Sequence, residues 1–294
     1  DEFYKLTAYE LKRLLDKKET TSEEVINSIF DRIEIVEPKL KAFIMLCKEK
    51  AIENAKKSDV KRANGQNIGL LEGIPVAIKD NICTKDLKTT CASKILQNFI
   101  PPYNADVIER IEKEGGIIIG KTNMDEFAMG SSCENSAISP TINPWNVECI
   151  PGGSSGGSAS AVAAGMVPLA IGSDTGGSVR QPAALCGIVG FKPKYGRVSR
   201  YGLIAFASSL DQIGPMARSV EDIALLSQVI AGYDSKDATS LNKSVPNYSD
   251  FLNHSLKGTK IGIPEQYFTS GSNVEINKSC MEAIEILKNL GALI

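Results

Sequence analysis

Two loops rich in glycine and serine, at 151–158 and 172–178, enclose a run of small and apolar residues. The run begins at 159–166, whose small side chains favour a tightly packed buried helix, and it continues as an apolar strand at 167–171. Glycine lets a backbone approach a ligand closely and adopt positive φ, and serine carries a hydroxyl that can become a nucleophile. The fold must therefore hold both loops on one buried helix and strand, and we expect them to form two halves of one site.

Strands and helices alternate along the chain from about residue 68 onwards. The apolar segments and periodic helices are predicted as strands 74–78, 117–119, 167–171 and 187–191, and helices 105–114 and 219–231. This alternation predicts an α/β fold with a largely parallel or mixed buried sheet.

Before residue 60 the pattern is helical. Capping boxes at Thr7-x-x-Glu10 and Thr21-x-x-Glu24 predict the starts of two helices, and a third is predicted at about 48–57.

Composition excludes several classes of protein. A formal net charge of -2 shows no overall excess of positive charge of the kind that favours nucleic-acid binding. No apolar run approaches the roughly 20 residues of a membrane helix. The seven cysteines are odd in number and form no C-x-x-C pair, which favours reduced thiols and a cytoplasmic protein over a disulfide scaffold or a zinc site. The single histidine, His254, lies in a polar stretch far in sequence from both loops, so we expect a surface histidine and a different catalytic base.

Lys79 is the candidate base. It follows the strand at 74–78, and ligands bind at the carboxyl ends of strands in open α/β sheets. A lysine acts as a base only when it is neutral, which burial favours. The alternative is a solvated lysine at the end of a strand.

Ser154 and Ser178 are the candidate hydroxyls. Ser178 follows Thr175-Gly176-Gly177, where successive amides can point together and bind an oxyanion; the alternative is a glycine turn whose serine caps a helix. Ser154 lies in a loop that matches neither a P-loop nor G-x-G-x-x-G, and a simple turn residue remains its alternative.

Taken together, these residues resemble the amidase signature family. That family carries a glycine-serine loop with a central serine, an apolar stretch and then Asp-x-Gly-Gly-Ser, with a lysine upstream. The matching segments here are Gly152–Ser158, Asp174–Ser178 and Lys79, and Ser154 and Ser178 are 24 residues apart, as the family pattern requires. The resemblance implies the family's α/β fold, with N-terminal helices followed by a central mixed sheet covered by helices.

We expect a single amidase domain over 1–294, with an N-terminal helical part at 1–60 and an α/β core at 68–294 that carries the signature region at about 150–200. The pattern of helix, glycine and strand that ends at 119 occurs again at the end of the sequence. There a helix is predicted at 274–290, and a glycine and the first apolar residues of a strand follow it at 291–294. The first residue is not methionine. We therefore expect an incomplete protein that lacks a C-terminal portion.

The resemblance implies a role for each matching residue. Ser178 would attack the side-chain amide of glutamine, form an acyl-enzyme and release ammonia. Ser154, joined to Gly153 by a cis peptide bond, would pass the proton of Ser178 to Lys79. The backbone amides of 175–178 would form the oxyanion hole. The residues assigned to the oxyanion hole and the glutamine pocket are Thr175, Gly176, Gly177, Met129, Gly130 and Ser131.

Segments 122–132 and 201–215 are similar to those of the family branch that serves as the glutaminase subunit of tRNA-dependent amidotransferases. That likeness implies that ammonia from glutamine is passed to subunits B and C of a complex, for conversion of Glu-tRNA(Gln) to Gln-tRNA(Gln). It implies no cofactor or metal in this chain, ATP and magnesium in the partner subunit, tRNA bound through the complex and no membrane contact. In that branch the charged residues that hold the α-groups of glutamine lie in a C-terminal part.

Two other functions remain open. The first is a free-standing amidase that hydrolyses small amides by the same Ser-Ser-Lys triad. The second is a non-enzymatic module whose glycine loops bind an anion at helix N-termini, which leaves Lys79 and the serine spacing unexplained.

Overall fold

The computed structural model of the chain describes residues 2–269 and 271–294. These residues form two units, one that extends to Ser249 and one that comprises Asp250–Ile294. The single domain expected over 1–294 stays a prediction.

The N-terminal part consists of helices, as predicted. The helices are α1 (Ala8–Asp16), α2 (Ser22–Leu40) and α3 (Lys48–Ala63). Both predicted capping boxes form, because Thr7 and Thr21 each accept a bond from the amide three residues on while Glu10 and Glu24 accept from the cap backbone. The third helix continues six residues beyond the predicted end at 57.

A mixed six-stranded sheet forms the centre of the first unit. Its strands are β1 (Phe43–Leu46), β2 (Pro75–Lys79), β3 (Ile117–Thr122), β4 (Leu169–Asp174), β5 (Val189–Gly190) and β6 (Gln212–Ala217). The order is β1-β3-β2-β4-β6-β5. Strand β2 pairs in parallel with β3 and with β4, whereas the three other pairings are antiparallel. The expected α/β fold with a mixed sheet is confirmed.

Helices cover both faces of this sheet. After α3 the first unit continues with α4 (Asp106–Lys113), α5 (Gly156–Ala163), α6 (Arg180–Cys186) and α7 (Val220–Ile230). Alternate residues of β2 belong to different apolar clusters: Val76 and Ile78 pack with α1, α4 and α7, and Ala77 packs with α2, α3 and α5. Strand β2 is therefore covered by an apolar layer on each face of the sheet.

Two boundaries next to the glycine-serine loops differ from the predicted ones. Helix α5 begins at Gly156, inside the first loop, rather than at 159, and β4 ends at Asp174, inside the second loop, rather than at 171. Part of each expected loop is thus regular structure, which fixes the loops more firmly than free turns would.

The second unit contains α8 (Val274–Asn289), whose N-cap Asn273 accepts bonds from two backbone amides of the first turn. His254 is exposed and lies edge-on to Phe251, which confirms the prediction of a surface histidine. Short 3₁₀ segments occupy Phe3–Lys5, Glu126–Ala128, Tyr248–Phe251 and Glu265–Tyr267. None of the helices within 2–269 and 271–294 combines the length and apolar character needed to cross a bilayer.

Candidate active site

Lys79 lies at the carboxyl end of β2, as predicted, and is completely buried. Its Nζ donates hydrogen bonds to Ser154 Oγ at 2.7 Å and to the hydroxyl and carbonyl oxygens of Ser173 at 2.9 Å and 3.3 Å. Because the side chain has no exposed surface, the alternative of a solvated lysine at a strand end is wrong.

Burial changes the protonation of this lysine. Removal of Nζ from water lowers the pKa of Lys79 from 10.5 to about 7, against the smaller opposing effects of Cys133 and Asp125. Burial disfavours the charged form of an amine. Near neutral pH a large fraction of Lys79 is therefore an uncharged amine with a lone pair, which is the form that can accept a proton.

Ser154 is fully buried and follows a cis peptide bond from Gly153, which confirms the expected isomer. Its carbonyl oxygen accepts a hydrogen bond from the Asp125 amide at 3.3 Å. A Cβ on Gly153 would lie 2.1 Å from a carboxylate oxygen of Asp125, so only glycine fits at this position. The approach of the Asp125 segment thus explains one glycine of the first loop.

Asp174 shapes the turn that carries Ser178. Its carboxylate accepts the amides of Gly177 at 2.8 Å and Val179 at 3.1 Å, and it pairs with the Arg180 guanidinium at 3.0 Å. Although burial raises the pKa of Asp174, the Arg180 hydrogen bond and the backbone donors bring it below its ordinary value. A permanent carboxylate therefore holds the turn.

The amides of this turn were all expected in the oxyanion hole. In the structure the Gly177 amide is engaged by Asp174, whereas those of Thr175, Gly176 and Ser178 donate to no other protein group among the described residues. Three backbone donors consequently remain for an oxygen that develops negative charge.

Ser178 lies on the open side of this arrangement and is partly exposed. Its carbonyl oxygen accepts the Ser155 amide at 3.1 Å, which joins the two loops directly. No hydrogen bond joins the hydroxyls of Ser154 and Ser178 in the part of the chain that the structure describes. The link between Lys79 and Ser154 is therefore observed, and the further link to Ser178 stays a prediction.

A cleft of about 420 Å³ opens in front of Ser178. All six residues assigned to the oxyanion hole and the glutamine pocket line it. The lining comprises Ala128, Met129, Gly130, Ser131, Gly153, Thr175, Gly176, Gly177, Ser178, Gln181 and Phe206. The structure thus brings every predicted site residue to one cleft or, for Lys79 and Ser154, to the buried layer behind it.

Gln181 ties two walls of the cleft together. Its side-chain amide nitrogen donates to the Ser131 carbonyl at 2.9 Å, and its side-chain oxygen accepts the Gly153 amide at 2.9 Å. The loop expected to hold glutamine is thereby fastened to the loop that carries Ser154.

Asp211 performs a similar task at the opposite wall and is buried. Its carboxylate accepts the hydroxyl of Thr175 and also the amides of Phe206 at 2.9 Å and Ala207 at 3.1 Å. It therefore connects the oxyanion turn to the segment that presents Phe206 to the cleft.

Sequence reasoning missed Ser173, Gln181, Asp211 and Phe206 as site residues. Each is polar or aromatic in a segment already noted, but their importance arises from contacts with residues distant in sequence, for which a single sequence carries no signal. No cluster of histidine, cysteine or acidic side chains suited to a metal ion occurs within 2–269 and 271–294.

Comparison with known proteins identifies the family of the chain. The amidase family model matches residues 24–294. The A subunit of the glutamyl-tRNA(Gln) amidotransferase of Carboxydothermus hydrogenoformans is 56% identical over 292 residues, which are 99% of this chain and 60% of that protein. The crystal structure of the corresponding A subunit from Thermotoga maritima superposes with a TM-score of 0.86 at 44% identity and covers 99% of this chain and 61% of its own.

A solved structure with a different described activity is also similar. Native peptide amidase from Stenotrophomonas maltophilia gives a TM-score of 0.89 at 32% identity, with 98% of this chain and 61% of that chain covered. The chain spans about 60% of the length of the curated relative named above.

Proposed function

The chain belongs to the amidase family, and we propose that it is the glutaminase part of a tRNA-dependent amidotransferase that works through Ser178, Ser154 and Lys79. The observation that carries the chemistry is the 2.7 Å contact between Lys79 Nζ and Ser154 Oγ in a fully buried position. The observation that supports glutamine as the substrate is the 56% identity to the A subunit of a glutamyl-tRNA(Gln) amidotransferase.

Acylation begins when Ser178 Oγ attacks the side-chain amide carbon of glutamine. The Ser178 proton passes to Ser154 Oγ while the Ser154 proton passes to the lone pair of neutral Lys79. Negative charge that develops on the amide oxygen is stabilised by the free amides at 175, 176 and 178. This type of stabilisation requires that the donors are already oriented, which the Asp174 contacts provide.

Collapse of the tetrahedral intermediate breaks the carbon–nitrogen bond. The Lys79 proton returns through Ser154 to the leaving nitrogen, so ammonia departs as a neutral molecule and Lys79 becomes neutral again. A water molecule then attacks the acyl-enzyme by the same relay and releases glutamate. No further reactant is needed, because water supplies the hydroxyl group that replaces the amide nitrogen on carbon and restores the proton that left with ammonia.

In this proposal the ammonia serves subunits B and C, which use ATP and magnesium to activate Glu-tRNA(Gln) and bind the tRNA. The chain's net charge of -2 supports a division of labour in which another subunit contacts the nucleic acid. The proposed location is the cytoplasm.

The alternative is a free-standing amidase that hydrolyses small amides by the same steps. The TM-score of 0.89 to peptide amidase favours it, because that protein shares the fold and is named for amide hydrolysis. The anion-binding module is less favoured, since it gives no role to a buried lysine that contacts a buried serine.

The test uses the complete protein with its partner subunits. Ser178→Ala should reduce ammonia release from glutamine to background, and Lys79→Met should lower it by about 10²–10⁴-fold, the usual contribution of a general acid–base group. Exposed Ser279→Ala and Lys57→Ala are matched controls that should retain activity. Retained activity in either site variant would refute the relay, and fast hydrolysis of simple amides without any partner would favour the free-standing amidase.

A further inference from the structure

Ser173, on the neighbouring strand β4, contacts the Lys79 amine through two oxygen atoms. Its hydroxyl and carbonyl oxygens lie 2.9 Å and 3.3 Å from Lys79 Nζ, and Ser154 Oγ lies at 2.7 Å. Ser173 is 4% exposed and belongs to β4, whose parallel pairing with β2 ends one residue before Lys79 and two residues before Ser173.

The three oxygens determine how the amine can be oriented. A neutral amine has two hydrogens and one lone pair, and a carbonyl oxygen can only accept. When the two hydrogens point to the two oxygens of Ser173, the lone pair points to Ser154 Oγ. Only this orientation lets Lys79 accept the proton that Ser154 must give up.

A further side chain holds the Ser173 hydroxyl in place. Asn81 Nδ2 donates to Ser173 Oγ at 2.9 Å, and Asn81 is 2% exposed. An amide nitrogen cannot accept, so this contact fixes the hydroxyl oxygen as an acceptor on that side. Neither residue is among those that line the cleft.

We propose that Ser173, held by Asn81, is a positioning residue that aims the lone pair of Lys79 at Ser154. The inference rests on the proposed function, because it assigns Lys79 the role of base. It predicts an effect on the chemical step and on its pH dependence, and none on the binding of glutamine.

The charged and titratable groups around Lys79 are the same in every variant proposed here. They are Cys133, Asp125, Cys91 and Asp174. Ser173→Ala removes one acceptor, and a hydrogen bond to a charged donor is stronger than one to a neutral donor. The ammonium form of Lys79 therefore loses more stabilisation than the neutral form, which lowers its pKa. The fall of kcat/KM on the acid side of the pH profile, its acid limb, should accordingly move to lower pH.

The experiment measures ammonia release from glutamine, as a function of pH, by the complete protein with its partner subunits. Ser173→Ala should lower kcat by about 10–100-fold with KM unchanged and the acid limb displaced to lower pH. Ser173→Thr keeps the hydroxyl at the same place and should restore most of kcat. An unchanged kcat and acid limb in Ser173→Ala, or an equal loss in Ser173→Thr with an unchanged melting temperature, would overturn the proposal.

Asn81 gives a second and independent measurement. If Asn81 acts through the Ser173 hydroxyl, Asn81→Ala should lower kcat on its own but add nothing to the loss in Ser173→Ala. Losses that multiply would show that Asn81 acts elsewhere.

The proposed function is tested separately by the wild-type protein. Trapping of an acyl-enzyme on Ser178 together with full activity in Ser173→Ala would overturn the positioning role alone. Absence of ammonia release by the wild type would overturn the proposed function first.

Discussion

Acidification from about pH 8 to about pH 6 should suppress ammonia release from glutamine, because it protonates Lys79. With a pKa of about 7, about nine-tenths of the lysine is neutral at the higher pH and about one-tenth at the lower. The expected fall in kcat/KM is therefore about tenfold, with a plateau above roughly pH 8. A lysine with an ordinary pKa would behave differently, since the rate would fall about 100-fold over the same interval and continue to rise at higher pH.

The assay is the initial rate of ammonia release by the complete protein with its partner subunits across this pH range. A histidine has an ordinary pKa near 6.5 and could produce a similar limb. His254→Gln is the control within this sequence, because His254 is the only histidine among its 294 residues and is exposed. It should leave the limb in place.

A flat profile between roughly pH 6 and pH 8 would refute the assignment of Lys79 as the base. Loss of the limb in His254→Gln would assign the titration to the histidine. A limb without a plateau would show that burial does not lower the pKa of Lys79 in solution.

Two further substitutions test the walls of the cleft. Gln181→Met removes both hydrogen bonds that join Ser131 to Gly153 and should raise KM for glutamine by roughly tenfold with little change in melting temperature, whereas Gln181→Glu keeps the acceptor for Gly153 and should raise KM less. Asp211→Asn turns a donor toward backbone amides and weakens the contact to Thr175, so kcat should fall by roughly tenfold. A wild-type KM in Gln181→Met, or a wild-type kcat in Asp211→Asn, would contradict these roles when measured in the same assay.

Local signals explain which elements could be predicted. Capping boxes and apolar periodicity depend on neighbouring residues, and both N-terminal helices begin where these signals place them. Strand β6 was missed because Gly214 and Pro215 interrupt it, and both residue types are depleted in strands. Its antiparallel pairing with β4 along six residues overrides that local preference.

The boundary of α5 shows the same effect of tertiary structure. Gly156 and Gly157 are poor helix formers, so sequence alone starts the helix later. Both are buried, and a Cβ on Gly157 would lie 2.4 Å from the Asn123 carbonyl oxygen. The helix therefore begins with glycines because another segment approaches it closely.

The site residues also differ in whether a local sequence pattern or a distant contact reveals them. Lys79, Ser154 and Ser178 stand out as polar residues beside strands and glycines, so a pattern can find them. Ser173 and Gln181 look ordinary in sequence, and the roles proposed for them rest on contacts with partners 94 and 50 residues away in the chain. Only the pairing of β2 with β4 and the closure of the loops reveal these contacts.

A buried base should make the fold less stable than it could be, and this links the mechanism to stability. The pKa of Lys79 is about 7 in the folded chain and 10.5 in its ordinary state, so the unfolded chain binds more protons between these values. The destabilisation is therefore complete below about pH 7, where it amounts to about 5 kcal/mol, and it vanishes as the pH approaches 10.5.

Lys79→Met removes that destabilisation but leaves the Ser154 hydroxyl without its partner, at about 1–3 kcal/mol, whereas the Ser173 hydroxyl keeps its bond from Asn81. Urea unfolding of the complete chain should therefore show Lys79→Met to be more stable than the wild type by about 2–4 kcal/mol near pH 7 and less stable near pH 10. A difference in the free energy of unfolding that does not depend on pH would mean that the lysine carries the same charge in both states. Lys79→Met should thus be more stable than the wild type only in the pH range in which the wild-type lysine is protonated in the unfolded chain.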